Sequence, residues 1–143
     1  RKEARSYIFG YTIFNDFSAR DAQFAEMQGF LGPCKGKDFD TGNSLGPWLV
    51  TADAISDPYD LTMVARVNGE EWSRGSSRDM HHKFEDFIVH VSRDEKIRSG
   101  EFFGSGTVGS GSGLEFGRFL KSGDRVELEV SGLGVLRNRL VRP

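Results

Sequence analysis

The chain has 143 residues, of which 37% are hydrophobic and 28% are charged, and its formal net charge is -2. This composition is typical of a soluble globular domain with a sizeable core, and we expect residues 1–143 to form a single domain. Lysine and arginine are spread along the chain without a basic tract, and no apolar run reaches the roughly 20 residues of a membrane span. We therefore expect neither nucleic acid nor a membrane as a partner.

Cys34 is the one cysteine of the chain, which excludes an internal disulfide. This usage is typical of a reducing compartment, and it predicts a cytoplasmic protein. The cysteine lies in a Gly-Pro-Cys-Lys-Gly loop with no histidine near it in sequence, so an incidental thiol is favoured over a nucleophile. The N-terminal residues lack the apolar segment of a secretory signal.

The first third of the chain predicts a strand, a helix and a second strand. Tyr7–Phe14 is rich in aromatic and β-branched residues, which indicates a strand that the following Asn15-Asp16 ends. Ser18 and Asp21 have the spacing of a capping box, with Asp in place of the usual Glu, and predict a helix over about residues 19–27. After a long loop, Pro47–Thr51 predicts a buried strand.

The remaining strands are predicted from alternation and from turn signals. Leu61–Val67 is expected to pair with Glu71–Arg74 across an Asn-Gly turn, which is the strongest short-range hairpin signal in the chain. Arg125–Val130 alternates between polar and apolar residues, and a Ser-Gly-Leu-Gly turn separates it from a last strand over Val135–Val141. Strands dominate, so the sequence predicts an α+β, β-dominated fold with two or three short helices.

Two further segments separate these strands. Apolar residues at helical spacing predict a helix over roughly residues 83–92, capped by Ser76, Ser77 or Asp79. Seven of the 18 glycines lie between residues 100 and 117. This stretch is either a flexible linker or a loop that brings backbone close to a ligand, and the aromatic residues on both sides favour the loop.

The first strand ends beside a group of polar residues. Asp16 is a candidate oxygen ligand for a hard divalent cation, although spacing alone favours a turn residue that accepts backbone N–H groups. Arg20 and Gln23 are three residues apart on the predicted helix and face the same way. Arg20 could bind a carboxylate through two hydrogen bonds, and the alternative is a solvated helix face.

Other polar residues follow in loops. Lys37 could place a cation near a developing enolate or oxyanion, worth ~3 kcal/mol, or be an ordinary loop lysine. Thr41 would bond substrate or water, or form a turn, and Thr107 would bind a substrate carboxylate after its Gly-Ser-Gly run, or form a tight turn. The adjacent His81 and His82 would diverge on a helix, so a surface pair is favoured over a metal site.

Taken together, these segments resemble the C-terminal catalytic domain of the fumarylacetoacetate hydrolase superfamily. The resemblance implies a rolled, mixed β-sheet fold with few helices, a homodimer, and Mg2+, Mn2+ or Ca2+ as cofactor. It implies a small keto or β-dicarbonyl acid as substrate, with C–C bond hydrolysis of the fumarylacetoacetate or acylpyruvate type or, alternatively, isomerisation, decarboxylation or hydration. The matching segments occur in the family's order over nearly the whole chain: Gly10–Gln23, Gly36–Thr41, Leu45–Val50, Val67–Glu70, Gly104–Thr107, Lys121–Asp124 and Gly134–Asn138.

The resemblance also implies roles for individual residues. Asp16 would be a metal ligand, and Lys37 would be the catalytic residue beside the metal, because an ammonium has no lone pair to give a cation. The expected substrate-binding residues are Arg20, Gln23, Thr41 and Thr107.

The chain departs from the family in its expected metal ligands. Family metal sites add a Glu-x-Glu pair some tens of residues before the position of Asp16, and here only Glu3 precedes it. We therefore expect a C-terminal fragment of a longer protein rather than a degenerate member. A dimerisation or binding module without metal is a second hypothesis. A nucleotide-binding protein is a third hypothesis, and the absence of a phosphate-loop lysine argues against it.

Overall fold

The structure is a computed structural model and describes residues 3–142. The six strands of these residues form two antiparallel sheets. In the first, β1 (Gly10–Asp16) pairs with β2 (Asn43–Thr51). The second has the order β4-β3-β5-β6, and its strands are β3 (Thr62–Val67), β4 (Glu70–Ser76), β5 (Arg125–Val130) and β6 (Gly134–Arg139).

Two helices accompany the sheets, α1 (Arg20–Met27) and α2 (Phe84–Val91). Four short 3-10 turns complete the regular structure of the described residues, at Ala4–Tyr7, Ala52–Ala54, Ser77–Asp79 and Gly113–Phe116. The predicted β-dominated α+β class is confirmed. The strand pairings within residues 3–142 are antiparallel, whereas the resemblance implied a mixed sheet.

One hydrophobic core joins the two sheets. Ile13 of β1 packs with Val130 of β5 and Leu136 of β6, and each of these side chains is at most 6% exposed. Ile55 and Leu133, from the connecting segments, complete this buried cluster. The alternation of apolar residues along these strands places the buried side chains on one face, so the small sheet is held against the larger one.

A polar contact fixes the same arrangement at the end of β1. The Asn138 side chain donates from Nδ2 to Ser44 Oγ at 2.8 Å and accepts at Oδ1 from Asn15 Nδ2 at 3.4 Å. Asn15 and Ser44 are register partners in the β1–β2 ladder. β6 therefore holds both strands of the small sheet one residue before Asp16, where the chain leaves the sheet.

The predicted hairpin is confirmed. Asn68 and Gly69 have φ values of 53° and 86°, as a two-residue turn with both central residues left-handed requires. The Asn68 side chain also donates to Asp124 Oδ1 at 2.8 Å and accepts from the Arg125 N–H at 2.9 Å. The turn is thereby attached to the beginning of β5, which pairs with β3.

The first strand lies further along the chain than the sequence predicted. Ala4–Tyr7 forms a 3-10 turn, and β1 begins at Gly10. The strand continues two residues beyond the predicted Phe14 and ends at Asp16, because the backbones of Asn15 and Asp16 pair with residues 43–44 of β2. Cross-strand pairing overrides the local turn preference of the Asn-Asp sequence.

Both helices lie where they were predicted, but their N-termini differ. Ser18 does not cap α1, because its hydroxyl donates to the Asp16 carbonyl at 3.4 Å and the N-cap residue is Ala19. The N–H of Ala19 donates instead to the Gly36 carbonyl at 2.9 Å. The predicted capping box is therefore wrong, and a tertiary contact with the loop after α1 fixes the start of this helix.

The start of α2 also differs from the prediction. Lys83 is its N-cap residue, and the Asp86 side chain accepts the Lys83 N–H at 3.0 Å. Ser76 caps the separate 3-10 turn Ser77–Asp79 instead, by accepting the Arg78 N–H at 3.1 Å. The polar residues at 76–79 thus end β4 rather than begin α2.

Leu136→Ala tests whether the two sheets depend on their shared core. Removing this buried side chain leaves a cavity between them, so we expect the free energy of unfolding to fall by about 3 kcal/mol in urea titrations. Val141→Ala is the matched control, because Val141 is 76% exposed, and we expect a change below about 0.5 kcal/mol. Equal losses for the two variants would contradict the packing described here.

Candidate active site

Asp16 lies at the point where the small sheet ends. The N–H of the next residue, Phe17, donates to the Gly42 carbonyl at 3.0 Å, and the chain then turns into α1. The Asp16 side chain is 43% exposed and borders a broad open cleft. The strand end therefore presents a carboxylate to solvent at a position that the β1–β2 ladder fixes.

Lys37 contacts this carboxylate and borders the same cleft. Its Nζ donates to Asp16 Oδ2 at 2.5 Å, and its side chain is 29% exposed. The structure thus brings together the proposed metal ligand and the proposed catalytic lysine, which are 21 residues apart in sequence. A short, charge-assisted contact between partly buried groups holds the ammonium at one place.

The loop that carries Lys37 is tied to α1 by the Glu26 carboxylate. Glu26 accepts hydrogen bonds from the backbone N–H groups of Cys34 at 2.7 Å, Lys35 at 2.7 Å and Gly36 at 3.0 Å. The bonds from Cys34 and then Gly36 are the largest causes that lower the pKa of Glu26 below its usual range, because they favour the charged form. Sequence reasoning missed Glu26, since no motif links it to this loop.

Gly36 explains why the loop can approach the helix so closely. A Cβ added at this buried position would lie 2.7 Å from the Cα and N of Gln23. A side chain would therefore force the loop away from α1 and carry Lys37 with it. The requirement for glycine here is one of close approach rather than of backbone angle.

Arg20 is held by two side chains. Its Nη1 donates to Gln23 Oε1 at 2.5 Å and its Nη2 donates to Ser112 Oγ at 3.2 Å. Arg20 borders the cleft and Gln23 supports it from the same helix face, as their spacing predicts. Ser112 was missed, because its distance from Arg20 in sequence hides the contact.

The glycine-rich segment forms one side of the cleft. Gly104 lies against β1, where an added Cβ would be 3.4 Å from the ring of Phe14, and that ring meets Phe102 edge-on with centroids 5.1 Å apart. The segment is therefore packed on the first sheet. Farther along, Ser112 accepts the Leu114 N–H at 3.3 Å and caps the short turn that follows.

The two predicted threonines border the same cleft as Asp16, Arg20 and Lys37. Thr41 is exposed, has a φ of 63°, and lies two residues before β2. Thr107 is exposed within the glycine-rich segment. Both residues are therefore accessible to solvent at the border of the cleft.

The described residues do not by themselves form a metal site with several protein ligands. Within residues 3–142, no group of three or more His, Cys, Asp or Glu side chains is placed to hold an ion. His81 and His82 are exposed, with their rings edge-on and 4.7 Å apart. The Asp16 carboxylate is the type of oxygen donor that Mg2+, Mn2+ and Ca2+ prefer, so it fits as one ligand, with the others supplied by water, by substrate or from beyond these residues.

Comparisons with known proteins place these features in a family. The profile of the family described as "Fumarylacetoacetate (FAA) hydrolase C-terminal" matches residues 1–141. The chain is 36% identical over 141 residues to the oxaloacetate tautomerase YisK of Bacillus subtilis, covering 98% of this chain and 46% of that protein. It is 39% identical over 142 residues to a mitochondrial oxaloacetate tautomerase of Homo sapiens, covering 97% of this chain and 44% of that protein. The chain therefore spans less than half the length of these relatives.

Solved structures give the same result. A fumarylacetoacetate hydrolase from Exiguobacterium antarcticum matches with a TM-score of 0.85 at 32% identity, over 99% of this chain and 50% of that one. The fumarylpyruvate hydrolase of Pseudomonas aeruginosa, in complex with Mn2+ and pyruvate, matches with a TM-score of 0.84 at 26% identity, over 99% and 58%. No helix within residues 3–142 of this chain has the length and apolar character to cross a membrane.

The Glu26 carboxylate is expected to make stability depend on pH. Its pKa is lowered in the folded protein, so its contribution is present above its ordinary value of 4.5 and is lost as the pH falls through the folded pKa. Glu26→Gln should therefore lower the free energy of unfolding most at neutral pH, and the difference from wild type should shrink below pH 4.5. Urea titrations over this range measure it, and a difference independent of pH would contradict this role.

Proposed function

The chain belongs to the fumarylacetoacetate hydrolase family, and from this premise we propose that it supplies part of the active site of an enzyme that enolises a small keto or dicarbonyl acid. The proposed reaction is keto–enol tautomerisation of an oxaloacetate-like acid. The observation that carries the proposal is the ion pair of Lys37 and Asp16, which borders the same open cleft as Arg20. The names of the curated relatives support the tautomerase subtype.

Arg20 is the proposed anchor for a substrate carboxylate. A guanidinium carries several N–H donors in a plane, and the contacts to Gln23 and Ser112 use one from each terminal nitrogen. The remaining donors can bind a carboxylate through two hydrogen bonds. Thr41 and Thr107, on the borders of the cleft, are proposed to contact other oxygens of the acid.

Lys37 is the proposed catalytic residue. When water takes a proton from the carbon next to the carbonyl, negative charge develops on the carbonyl oxygen, and the return of a proton from this water to that oxygen gives the enol. An ammonium held beside that oxygen stabilises the enolate, and a donor of this kind contributes about 3 kcal/mol. Because Asp16 fixes the ammonium before substrate binds, little of this stabilisation is spent on moving the side chain.

A divalent cation, Mg2+, Mn2+ or Ca2+, is part of the proposal. Lys37 bonds Asp16 Oδ2, so Oδ1 is the oxygen that Asp16 would give to the ion. When bound, such an ion polarises the carbonyl of a keto acid as a Lewis acid. The Mn2+ and pyruvate in the related fumarylpyruvate hydrolase support this assignment.

Hydrolysis of a C–C bond is the second candidate, favoured by the two solved relatives that are named hydrolases. In that reaction water adds to one carbonyl of a dicarbonyl acid, the adjacent C–C bond breaks, and its electron pair leaves as an enolate. The remaining proton of the water then passes to the enolate carbon and gives the second product. The same Lys37 cation would stabilise the enolate, so the two reactions differ in their products and not in the role of this lysine.

The cellular setting is proposed on separate grounds. We propose a homodimer, for which the large exposed apolar side chains Phe30 and Leu31, 95% and 97% exposed, are the support. The exposed, unpaired Cys34 supports a reducing compartment, and we keep the cytoplasm as the proposed location. The human relative is named as mitochondrial, so another reducing compartment is the alternative.

Lys37→Ala tests the proposed catalytic role in the full-length protein. Losing the cation should lower kcat about 100-fold, because one donor to the oxyanion is removed. The assay follows the disappearance of enol-oxaloacetate and, separately, the release of pyruvate from an acylpyruvate. Lys35→Ala is the matched control, because Lys35 lies two residues away with its side chain 75% exposed, and its kcat should match wild type.

The outcomes of these two assays separate the candidates. Loss of enol-oxaloacetate without C–C cleavage supports the tautomerase, and stoichiometric pyruvate from the acylpyruvate supports the hydrolase. Wild-type turnover by Lys37→Ala would remove Lys37 from the mechanism.

Asp16→Ala tests the proposed metal ligand. Calorimetric titration of the full-length protein with Mg2+ or Mn2+ should show submillimolar binding, which is a binding free energy more favourable than about −4 kcal/mol. The variant should lose this binding. Turnover of the wild-type protein should disappear with a chelator and return with the ion. Absence of binding by the full-length wild-type protein would contradict the metal-dependent enzyme and favour a dimerisation or binding module.

A further inference from the structure

We propose that Glu26 is a positioning residue for Lys37, an inference that rests on the proposed function. Glu26 does not border the cleft and does not touch Lys37. It acts through the loop of residues 34–36, whose backbone it holds so that the next residue, Lys37, reaches Asp16.

The contact is a carboxylate placed in a concave row of backbone N–H groups. Oε2 accepts from Cys34 and Gly36, and Oε1 accepts from Lys35, so consecutive amides converge on one side chain. Such a row attracts an anion, and here the anion comes from the last turn of α1. Bonds to an ionised acceptor are about twice as strong as neutral ones, so the loop has a defined orientation.

Two further contacts carry this orientation to Lys37. The N–H of Lys37 donates to the Cys34 carbonyl at 3.0 Å, which closes the loop into a turn. The Gly36 carbonyl accepts from Ala19 at 2.9 Å, at the start of α1. The backbone of Lys37 is therefore fixed from both ends of the helix, and its side chain has one direction in which to meet Asp16.

A glutamine at position 26 changes the hydrogen bonds to the loop while it keeps the size of the side chain. It has nearly the same shape, but one carboxylate oxygen is replaced by an amide NH2, which cannot accept from a backbone N–H. At least one of the three bonds is lost, and a donor then faces a donor. Lys37 itself is chemically unchanged, so a loss of activity that is absent in the Lys37→Ala background comes through the position of Lys37.

Asp124 provides a matched control elsewhere in the chain. Its side chain accepts from the Lys121 N–H at 2.7 Å and from Asn68 Nδ2 at 2.8 Å, so it also holds a loop. As for Glu26, a hydrogen bond from the backbone is the largest cause that lowers the pKa of Asp124, here from Lys121, and the side-chain bond from Asn68 follows. Asp124→Asn therefore reports the effect of loosening a loop that does not lead to Lys37.

The experiment is a double-mutant cycle in the full-length protein with oxaloacetate and an acylpyruvate as substrates. Glu26→Gln should lower kcat about tenfold and change KM by less than about twofold, because positioning acts on the reacting geometry. In the Lys37→Ala background the same substitution should change kcat by less than about twofold. Asp124→Asn should leave kcat at the wild-type value. If Glu26→Gln does not fold, Glu26→Asp replaces it in the cycle, because aspartate keeps the charge but is one methylene shorter.

Equal effects of the Glu26 substitution in both backgrounds, or wild-type kcat in the single variant, would overturn the proposal. If the unsubstituted protein turns over neither substrate, the proposed function fails, and acetylation decides the role of Glu26 instead. The acetylation of Lys37 by acetic anhydride, measured by mass spectrometry relative to exposed Lys96, should rise at least about twofold in Glu26→Gln but not in Asp124→Asn. Unchanged acetylation of Lys37 would then overturn it.

Discussion

The ion pair between Asp16 and Lys37 is the interaction on which the candidate site depends, and it forms because two independent constraints converge. The carboxylate is placed by the end of β1, where cross-strand pairing with β2 and the Asn138 contacts hold the backbone. The ammonium is placed by a loop that Glu26 holds against α1. A change in either support would separate the charges without touching either of them.

Patterns that repeat along the chain allowed much of the fold to be predicted. The β5 strand and the Asn-Gly hairpin have clear alternation and an unambiguous turn, and they were found with nearly the observed bounds. The errors lie at element ends and in the predicted burial of β2, most of which is exposed. Asn15 and Asp16 continue β1 because β2 pairs with them, and Ser18 does not cap α1 because Gly36 approaches the helix. Both outcomes depend on residues far away in sequence, about which the conformational preferences of neighbouring residues carry no information.

The site residues fall into the same two groups: those that a sequence pattern predicted, and those that depend on residues far away in sequence. Helical spacing was sufficient to place Arg20 and Gln23 together, and the family motif was sufficient to connect Asp16 with Lys37. Neither source of information contains the supporting residues. Glu26 binds backbone N–H groups, whose direction no side-chain pattern encodes, and Ser112 reaches Arg20 only because the glycine-rich segment packs against the first sheet. Residues that bind backbone atoms or bridge distant segments are therefore the part of a site that sequence motifs hide.

The charges of the site indicate that it suits an anion better than a metal ion. Arg20 and Lys37 carry two positive charges against the one negative charge of Asp16, so this group is suited to an acidic substrate and to negative charge that develops during enolisation. The same excess of positive charge disfavours a divalent cation unless further carboxylates surround it. Metal binding by one carboxylate thus needs ligands that residues 3–142 do not group together, whereas anion recognition needs no addition. We therefore propose that the described residues are the part of the enzyme that binds the anion and stabilises the enolate, and that further metal ligands come from elsewhere.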